Sequence, residues 1–277
     1  MIQRLVVGLV LSILIGGLGY WRRSLSVSGV LGAILVGTLI FGLGGWLWGW
    51  LLITFFVSSS WLSHYRQVAK EAVADKFAKG SRRDWGQALA NGGLGALLAV
   101  VYALYPEPLL FAAFLGAMGT VNADTWATEL GVLSRVPPRL ITNGELVAAG
   151  TSGGITWLGP WASAAGGLLI GSVATVLTQA ASLLEGNGWH LEAISYPLLA
   201  VIGGLAGSLF DSLLGATVQG VYFCDYCEKQ TERRIHRCGQ PTRPLRGWGW
   251  LNNDLVNLAA SAVGALVAIS LASWLWR

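Results

Sequence analysis

Residues 109–129 read LLFAAFLGAMGTVNADTWATE. From Leu109 to Val121 the side chains are apolar or small, Thr120 excepted; Asn122, Asp124, Thr125, Thr128 and Glu129 then crowd into the next eight positions. At ~1.5 Å of rise per residue, a helix here covers most of a ~30 Å hydrocarbon layer. Its polar end meets one membrane face with two carboxylates still on the helix. Helical spacing puts Asn122, Thr125 and Glu129 on one face and turns Asp124 well away from Glu129. Either the helix breaks there, or the two carboxylates serve different neighbours. The plainer alternative is a solvated helix end anchored by Trp126.

The rest of the chain repeats this form. Of its 277 residues 54% are hydrophobic and 12% charged, against about 25% charged in soluble domains, so most of it cannot face water. Thirty-eight glycines suit close helix packing in lipid and fourteen tryptophans suit interfacial belts. Spans are predicted over 2–20, 27–43, 46–61, 89–104, 109–126, 155–177, 194–219 and 255–276. The fold class is thus all-α, a polytopic bundle of about eight spans forming one domain over residues 1–277. Only Gly44 and Gly45 part the second span from the third, so the two also read as one bent hairpin. The start resembles a signal peptide, but no small-residue cleavage pattern precedes Trp21-Arg22-Arg23. The first span is expected to be retained.

The net charge of +4 is distributed unevenly. Arg22 and Arg23 follow span one; Arg66 to Arg83 follow span three; Arg135 and Arg139 follow span five; Lys229 to Arg246 follow span seven. Those four loops share one side and hold sixteen of the eighteen Lys and Arg residues; only Arg4 and Arg277 lie opposite. The positive-inside rule puts these loops in the cytoplasm and both termini outside. The charge therefore speaks of orientation, and no nucleic-acid partner is expected. Trp46, Trp48, Trp189, Trp274 and Trp276 fall at the outer ends, and Trp21, Trp85, Trp126, Trp248 and Trp250 at the inner ones.

Two further spans carry carboxylates at their cytoplasmic ends. Span seven has a polar stripe of Ser208, Asp211, Ser212, Gly215 and Gln219, with Asp211 too deep for a loop residue. Span eight opens on Asn252, Asn253 and Asp254, and Asp254, Asn257 and Ser261 share a face. A structural ion pair at Asp211 and simple N-capping at 252–254 are the plainer alternatives. An ionisable group inside a span costs a few kcal/mol or more and marks function by default. Asp124, Glu129, Asp211 and Asp254 converging on one side form a hard oxygen site suited to Mg²⁺ with substrate phosphates. Phosphate contacts are expected from Lys70, Lys76, Lys79, Arg82 and Arg83, which precede the polar start Asn91-Gly92-Gly93 of span four. Gly150-Thr151-Ser152-Gly153-Gly154 before span six suits backbone N–H donation to phosphate. There is no Walker motif, which excludes a P-loop kinase.

Within the loop 220–250, Cys224-x-x-Cys227 is followed by His236-x-Cys238. An odd number of clustered cysteines favours a metal over disulfides. Three thiols and an imidazole suit a structural, tetrahedral Zn²⁺. The rival is reduced cysteines with no metal.

The segments NADTWATELG (122–131), GTSGGIT (150–156), GSLFDSLLGATVQ (207–219) and NNDLVN (252–257) resemble the signatures of one membrane family. It includes eukaryotic transmembrane protein 19 and the phytyl-phosphate kinase of tocopherol synthesis. The resemblance runs from about residue 27 to the C-terminus and extends to the cysteine loop. It implies phosphoryl transfer from a nucleoside triphosphate, CTP in the first place, to phytyl or a related isoprenyl monophosphate. With no transit segment ahead of span one, a bacterial, cyanobacterial-type membrane is expected. On this reading Asp124, Glu129, Asp211 and Asp254 hold Mg²⁺, and Asn122, Asn253 and Asn257 orient phosphate oxygens or the ligating carboxylates. Lys70, Lys76, Arg82 and Arg83 neutralise the triphosphate, and the prenyl tail lies among the apolar spans. The competing readings are an ion-coupled transporter, since intramembrane carboxylates also mark ion pathways, and a scaffold docking through the cysteine loop.

Overall fold

The computed structural model describes residues 2–67, 70, 76, 77, 79, 80 and 82–277. Among them stand eight long helices: α1 (Ile2–Trp21), α2 (Val27–Leu39), α3 (Trp46–His64), α4 (Trp85–Leu104), α5 (Pro108–Gly131), α6 (Leu158–Leu184), α7 (Tyr196–Thr217) and α8 (Asn253–Leu275). All but α5 belong to the seven segments long and apolar enough to cross a membrane. The expected polytopic helical bundle is therefore the observed fold.

The stretch 109–129 forms the centre of the bundle. Every residue from Phe111 to Ala123 of α5 is buried. Helices α6, α7 and α8 pack closely around it, with α7 between α6 and α8, while α3 covers α5 and α6. α1 pairs with α2, and α2 leans on α4, which joins the pair to α5 and α8. Lipid offers little hydrophobic drive for such packing, so small side chains and buried hydrogen bonds hold it. Thr120 Oγ1 lies 2.9 Å from the carbonyl of Gly116, one turn back, and 3.1 Å from that of Gly203 on α7. A Cβ on Gly264 of α8 would fall 1.9 Å from the same hydroxyl, so only glycine lets three backbones meet there.

α2 and α3 are separate helices. α2 runs into a π-helical segment, Ile40–Gly44, and Gly45 at φ +90° turns the chain into α3. Glycine alone adopts that backbone readily. α4 begins four residues before its predicted start, because Asp84 and Gln87 form a reciprocal capping box. α6 begins late, since Gly154–Ile155 is spent on a strand, β2, pairing with β1 (Arg139–Leu140). It ends late too: Gln179 bonds both backbone groups of His190, tying the helix to the following turn. Trp48 departs from the interfacial belt expected of it. It is 3% exposed and stacks on Phe114 at 4.2 Å. With Phe111 and Tyr196 it closes the end of the bundle opposite the carboxylates.

The cysteine loop is not helical. β3 (Val221–Cys224), β4 (Lys229–Thr231) and β5 (Arg243–Arg246) form an antiparallel sheet in the order β4-β3-β5.

Candidate active site

The C-terminal ends of α3, α5 and α7 and the N-terminal ends of α4, α6 and α8 surround a cavity of 1190 Å³. Lys70, Arg83, Asn91, Asp124, Glu129, Thr151, Ser152, Gly153, Asp211, Asn253, Asp254 and Asn257 all line it. The predicted carboxylates of three helix ends therefore meet in one place.

α5 stays helical through Gly131, so its carboxylates diverge and serve different neighbours. Asp124 faces α7, where Ser208 Oγ donates to Oδ1 at 3.3 Å. Glu129 faces α3: Ser63 Oγ donates to Oε1 at 2.6 Å and Lys70 Nζ pairs with Oε2 at 2.5 Å. Asp211 lies within Coulombic reach of Asp124 and Glu232, and its Oδ2 is buried without a hydrogen-bond partner among the described residues. Asp254 pairs with Lys79 through Oδ2, while its Oδ1 is likewise buried and unpartnered. Lys79 also holds Asp84 at 2.8 Å, clamping the start of α8 to that of α4. Burial opposes the Lys79 charge, yet its two carboxylates outweigh that and raise its pKa. Burial likewise pushes Asp84 up, but Lys79 and the backbone N–H of Gln87 bring it below its usual value.

Three predicted residues stand outside the cavity lining. Asn122 is fully buried and spoken for: its oxygen accepts from Ser58 Oγ (2.9 Å) and Ser59 Oγ (3.3 Å), and its nitrogen donates to the Gly166 carbonyl (2.8 Å). It ties α5 to α3 and α6. Arg82 turns to the α1–α2 junction, donating to the Leu25 carbonyl and lying over the Tyr20 ring. Lys76 stands behind the wall, 3.4 Å from Thr151 Oγ1; burial first, then Lys229, lowers its pKa.

The glycine-rich loop is built into the site. Gly153 has φ +82°, and a Cβ there would lie 2.4 Å from the Ala216 nitrogen at the end of α7. Arg246 of β5 staples this contact, donating to the carbonyls of Ala216 (2.7 Å), Ser152 (2.8 Å) and Gly215 (2.9 Å). Glu232, just after β4, reaches the same place and accepts from Ser152 Oγ at 2.9 Å and Gln219 Nε2 at 2.8 Å. Sequence reading passed over Glu232, which looks like one more loop charge. Its one signal is its position four residues before His236 in the compact cysteine loop.

Cys224, Cys227, His236 and Cys238 bring their donor atoms within 4.8 Å of one another. Two thiolates on one tetrahedral ion with ~2.3 Å bonds stand ~3.8 Å apart; Cys224 Sγ and Cys238 Sγ stand 3.8 Å apart. His236 Nε2 is buried without a partner among the described residues. The donor set thus fits a tetrahedral metal. The Gln240 backbone N–H, then His236, draws the Cys238 thiol down to about 7, whereas its bond to Cys238 first of all pushes Cys227 up to about 11.

Residues 10–265 match the family model described as integral membrane protein DUF92. Protein PGR of Arabidopsis thaliana is 32% identical over 271 residues, covering 93% of this chain and 92% of the relative. An uncharacterized membrane protein of Methanocaldococcus jannaschii is 30% identical, covering 89% of this chain and 85% of the relative. Protein VTE6, chloroplastic, of Arabidopsis thaliana is 26% identical over 88% of this chain and 64% of that protein. No solved structure matches. With its helical bundle, its polar cavity and a family match over most of its length, this chain belongs to the DUF92 family of integral membrane proteins.

Proposed function

We propose that this protein is a prenyl-phosphate kinase, moving the γ-phosphoryl group of a nucleoside triphosphate, CTP first, onto phytyl or a related isoprenyl monophosphate. The observation that carries this is the neighbouring Asp124 and Asp211 with no lysine or arginine bonded to either among the described residues, in a cavity otherwise rich in cations. Glu129 and Asp254 already hold lysines. Asp124 and Asp211, with the free oxygen of Asp254, would hold Mg²⁺. When bound, such an ion would supply positive charge to offset that of the phosphates.

The residues present account for the remaining work. An oxygen of the lipid monophosphate, already anionic, attacks the γ-phosphorus; the bond from that phosphorus to the β-bridging oxygen breaks, and the nucleoside diphosphate leaves with the electron pair. No strong base is required, so catalysis is mostly positioning and charge neutralisation. Lys70, Arg83 and the Thr151-Ser152-Gly153 loop would contact phosphate, with Asn91, Asn253 and Asn257 at the rim. A structural Zn²⁺ in the Cys/His module would hold Glu232 and Arg246 against that loop. The basic loops favour a cytoplasmic cavity with both termini outside. The Trp48–Phe114 packing at the opposite end supports an enzyme over ion-coupled transport, which needs a path across.

The test is purified protein with CTP, Mg²⁺ and phytyl or geranylgeranyl monophosphate. Formation of the prenyl diphosphate supports the reading. Its absence with several prenyl phosphates and both CTP and ATP sinks it.

A further inference from the structure

Arg83, Gln87 and Asn91 line two cavities at once. One is the polar cavity; the other is nearly all apolar and lies between α1, α2, α3 and α4, walled by Ile15, Leu25, Val36, Phe41, Leu52 and Phe56. Ile15, Leu52 and Phe56 are only half-buried, so its rim lies along the seam between α1 and α3. Phe56 bridges that seam: a Cβ on Gly19 of α1 would come within 2.8 Å of its ring.

Arg83 is where the two cavities join. Its backbone is fixed against the α1–α2 connection, with N–H to the Ser24 carbonyl and carbonyl to the Ser26 N–H, both at 2.9 Å. The residue is 9% exposed, and its guanidinium carbon lies 5.5 and 5.8 Å from the Phe55 and Phe56 ring centroids. A guanidinium has five N–H donors; among the described residues this one makes a single hydrogen bond, to Ser60 Oγ at 3.1 Å. The acidic group it senses is Glu129, already held by Lys70 and Ser63. A buried cation without its own carboxylate is costly unless an anion reaches it. Here the anion can come from the polar cavity, with an apolar chain attached on the other side.

We propose that this junction is the acceptor-lipid site. The monophosphate of a prenyl phosphate sits on Arg83, beside Gln87 and Asn91. The first carbons of its chain fill the apolar cavity, and the rest leaves between α1 and α3 into the bilayer. Arg83 then belongs to the acceptor phosphate, and Lys70 with the Thr151–Ser152 loop to the nucleotide. This division rests on the kinase reading; the lipid site itself rests on the two cavities.

A phytyl monophosphate carrying a tail diazirine is photolysed with the full chain in nanodiscs. The expected labels fall on the segments around Ile15 and Phe56, displaced by unlabelled phytyl monophosphate and not by phosphatidic acid. Arg83→Gln is expected to cut labelling about tenfold and raise the lipid KM similarly, leaving the CTP KM within about twofold. Ala33→Phe, which fills the apolar cavity, is expected to cut labelling with Arg83 in place. Labels among α5–α8, equal displacement by phosphatidic acid, or a raised CTP KM in Arg83→Gln would overturn the site. Diphosphate formed without labelling here leaves the kinase standing and removes the site; labelling here without turnover does the reverse.

Discussion

Glu232 of the Cys/His module accepts a 2.8 Å hydrogen bond from Gln219, two residues past the end of α7, and a second from Ser152 of the glycine-rich loop. One carboxylate thereby joins the loop to the helix that carries Asp211. The module is a wall of the cavity as well as an appendage of it.

Loosening that wall is expected to disable the cavity without unfolding the bundle. Glu232→Ala removes the shared acceptor of two donors, and Cys224→Ser removes one donor atom of the Cys/His cluster. Each should lower kcat about tenfold or more, with helix content by circular dichroism unchanged. A chelator that strips the module should do the same, and re-added Zn²⁺ should restore turnover. Undiminished kcat in a metal-free protein counts against this coupling.

Asp124→Asn and Asp211→Asn are expected to abolish turnover, by about a hundredfold or more, at normal expression. Asp211→Asn should also raise thermal stability in detergent, since its Oδ2 is buried without a partner among the described residues; function and stability trade against each other at such groups. Ser208→Ala, which removes the donor to Asp124, should have the milder effect. Wild-type-like turnover in both aspartate variants would refute their assignment.

Asn122 is a structural residue by its bonding. Asn122→Ala removes the acceptor shared by Ser58 and Ser59 and the donor to the Gly166 carbonyl, and is expected to cost ~1–3 kcal/mol. Thermal unfolding in detergent checks this, and the lipid and nucleotide KM values of the protein that survives should stay near wild type.

The Lys79 clamp fixes a pH window. The folded pKa of Asp84 lies below 3.8, so its contribution is present above that value and fades as pH falls through the lower, folded one. The folded pKa of Lys79 lies above 10.5, so its contribution is present below 10.5 and fades as pH rises through the folded value. Between these limits the clamp is constant. Lys79→Met should lower the unfolding temperature by a similar amount at pH 5, 7 and 9, and a loss confined to one of those values would contradict the clamp.

Much of this is legible in the sequence, and for one reason. Spans of bilayer length alternate with loops whose arginines and lysines all fall on one side, so helix count and the grouping of Asp124, Asp211 and Asp254 at one end follow from chain order alone. Pairings do not. Lys70 with Glu129 and Lys79 with Asp254 join residues 59 and 175 positions apart, and no local period encodes them. Asn122, two positions before Asp124, looks catalytic, yet two positions rotate a helix by about 200°, which carries it out of the cavity and into the packing. Arg82 and Arg83 are neighbours in the chain and face different places for a similar reason: strand-like pairing at Leu25 and Arg83 alternates their sides.

The encasement of α5 bears on how the chain enters a membrane. Alone among the eight long helices, α5 is not among the segments apolar enough to cross by their own composition, and its carboxylates would be costly against lipid. Its neighbours α6, α7 and α8 come later from the ribosome. The helix that carries the most functional polarity therefore depends for its place on segments not yet made, and the site assembles only when α8 has joined the bundle.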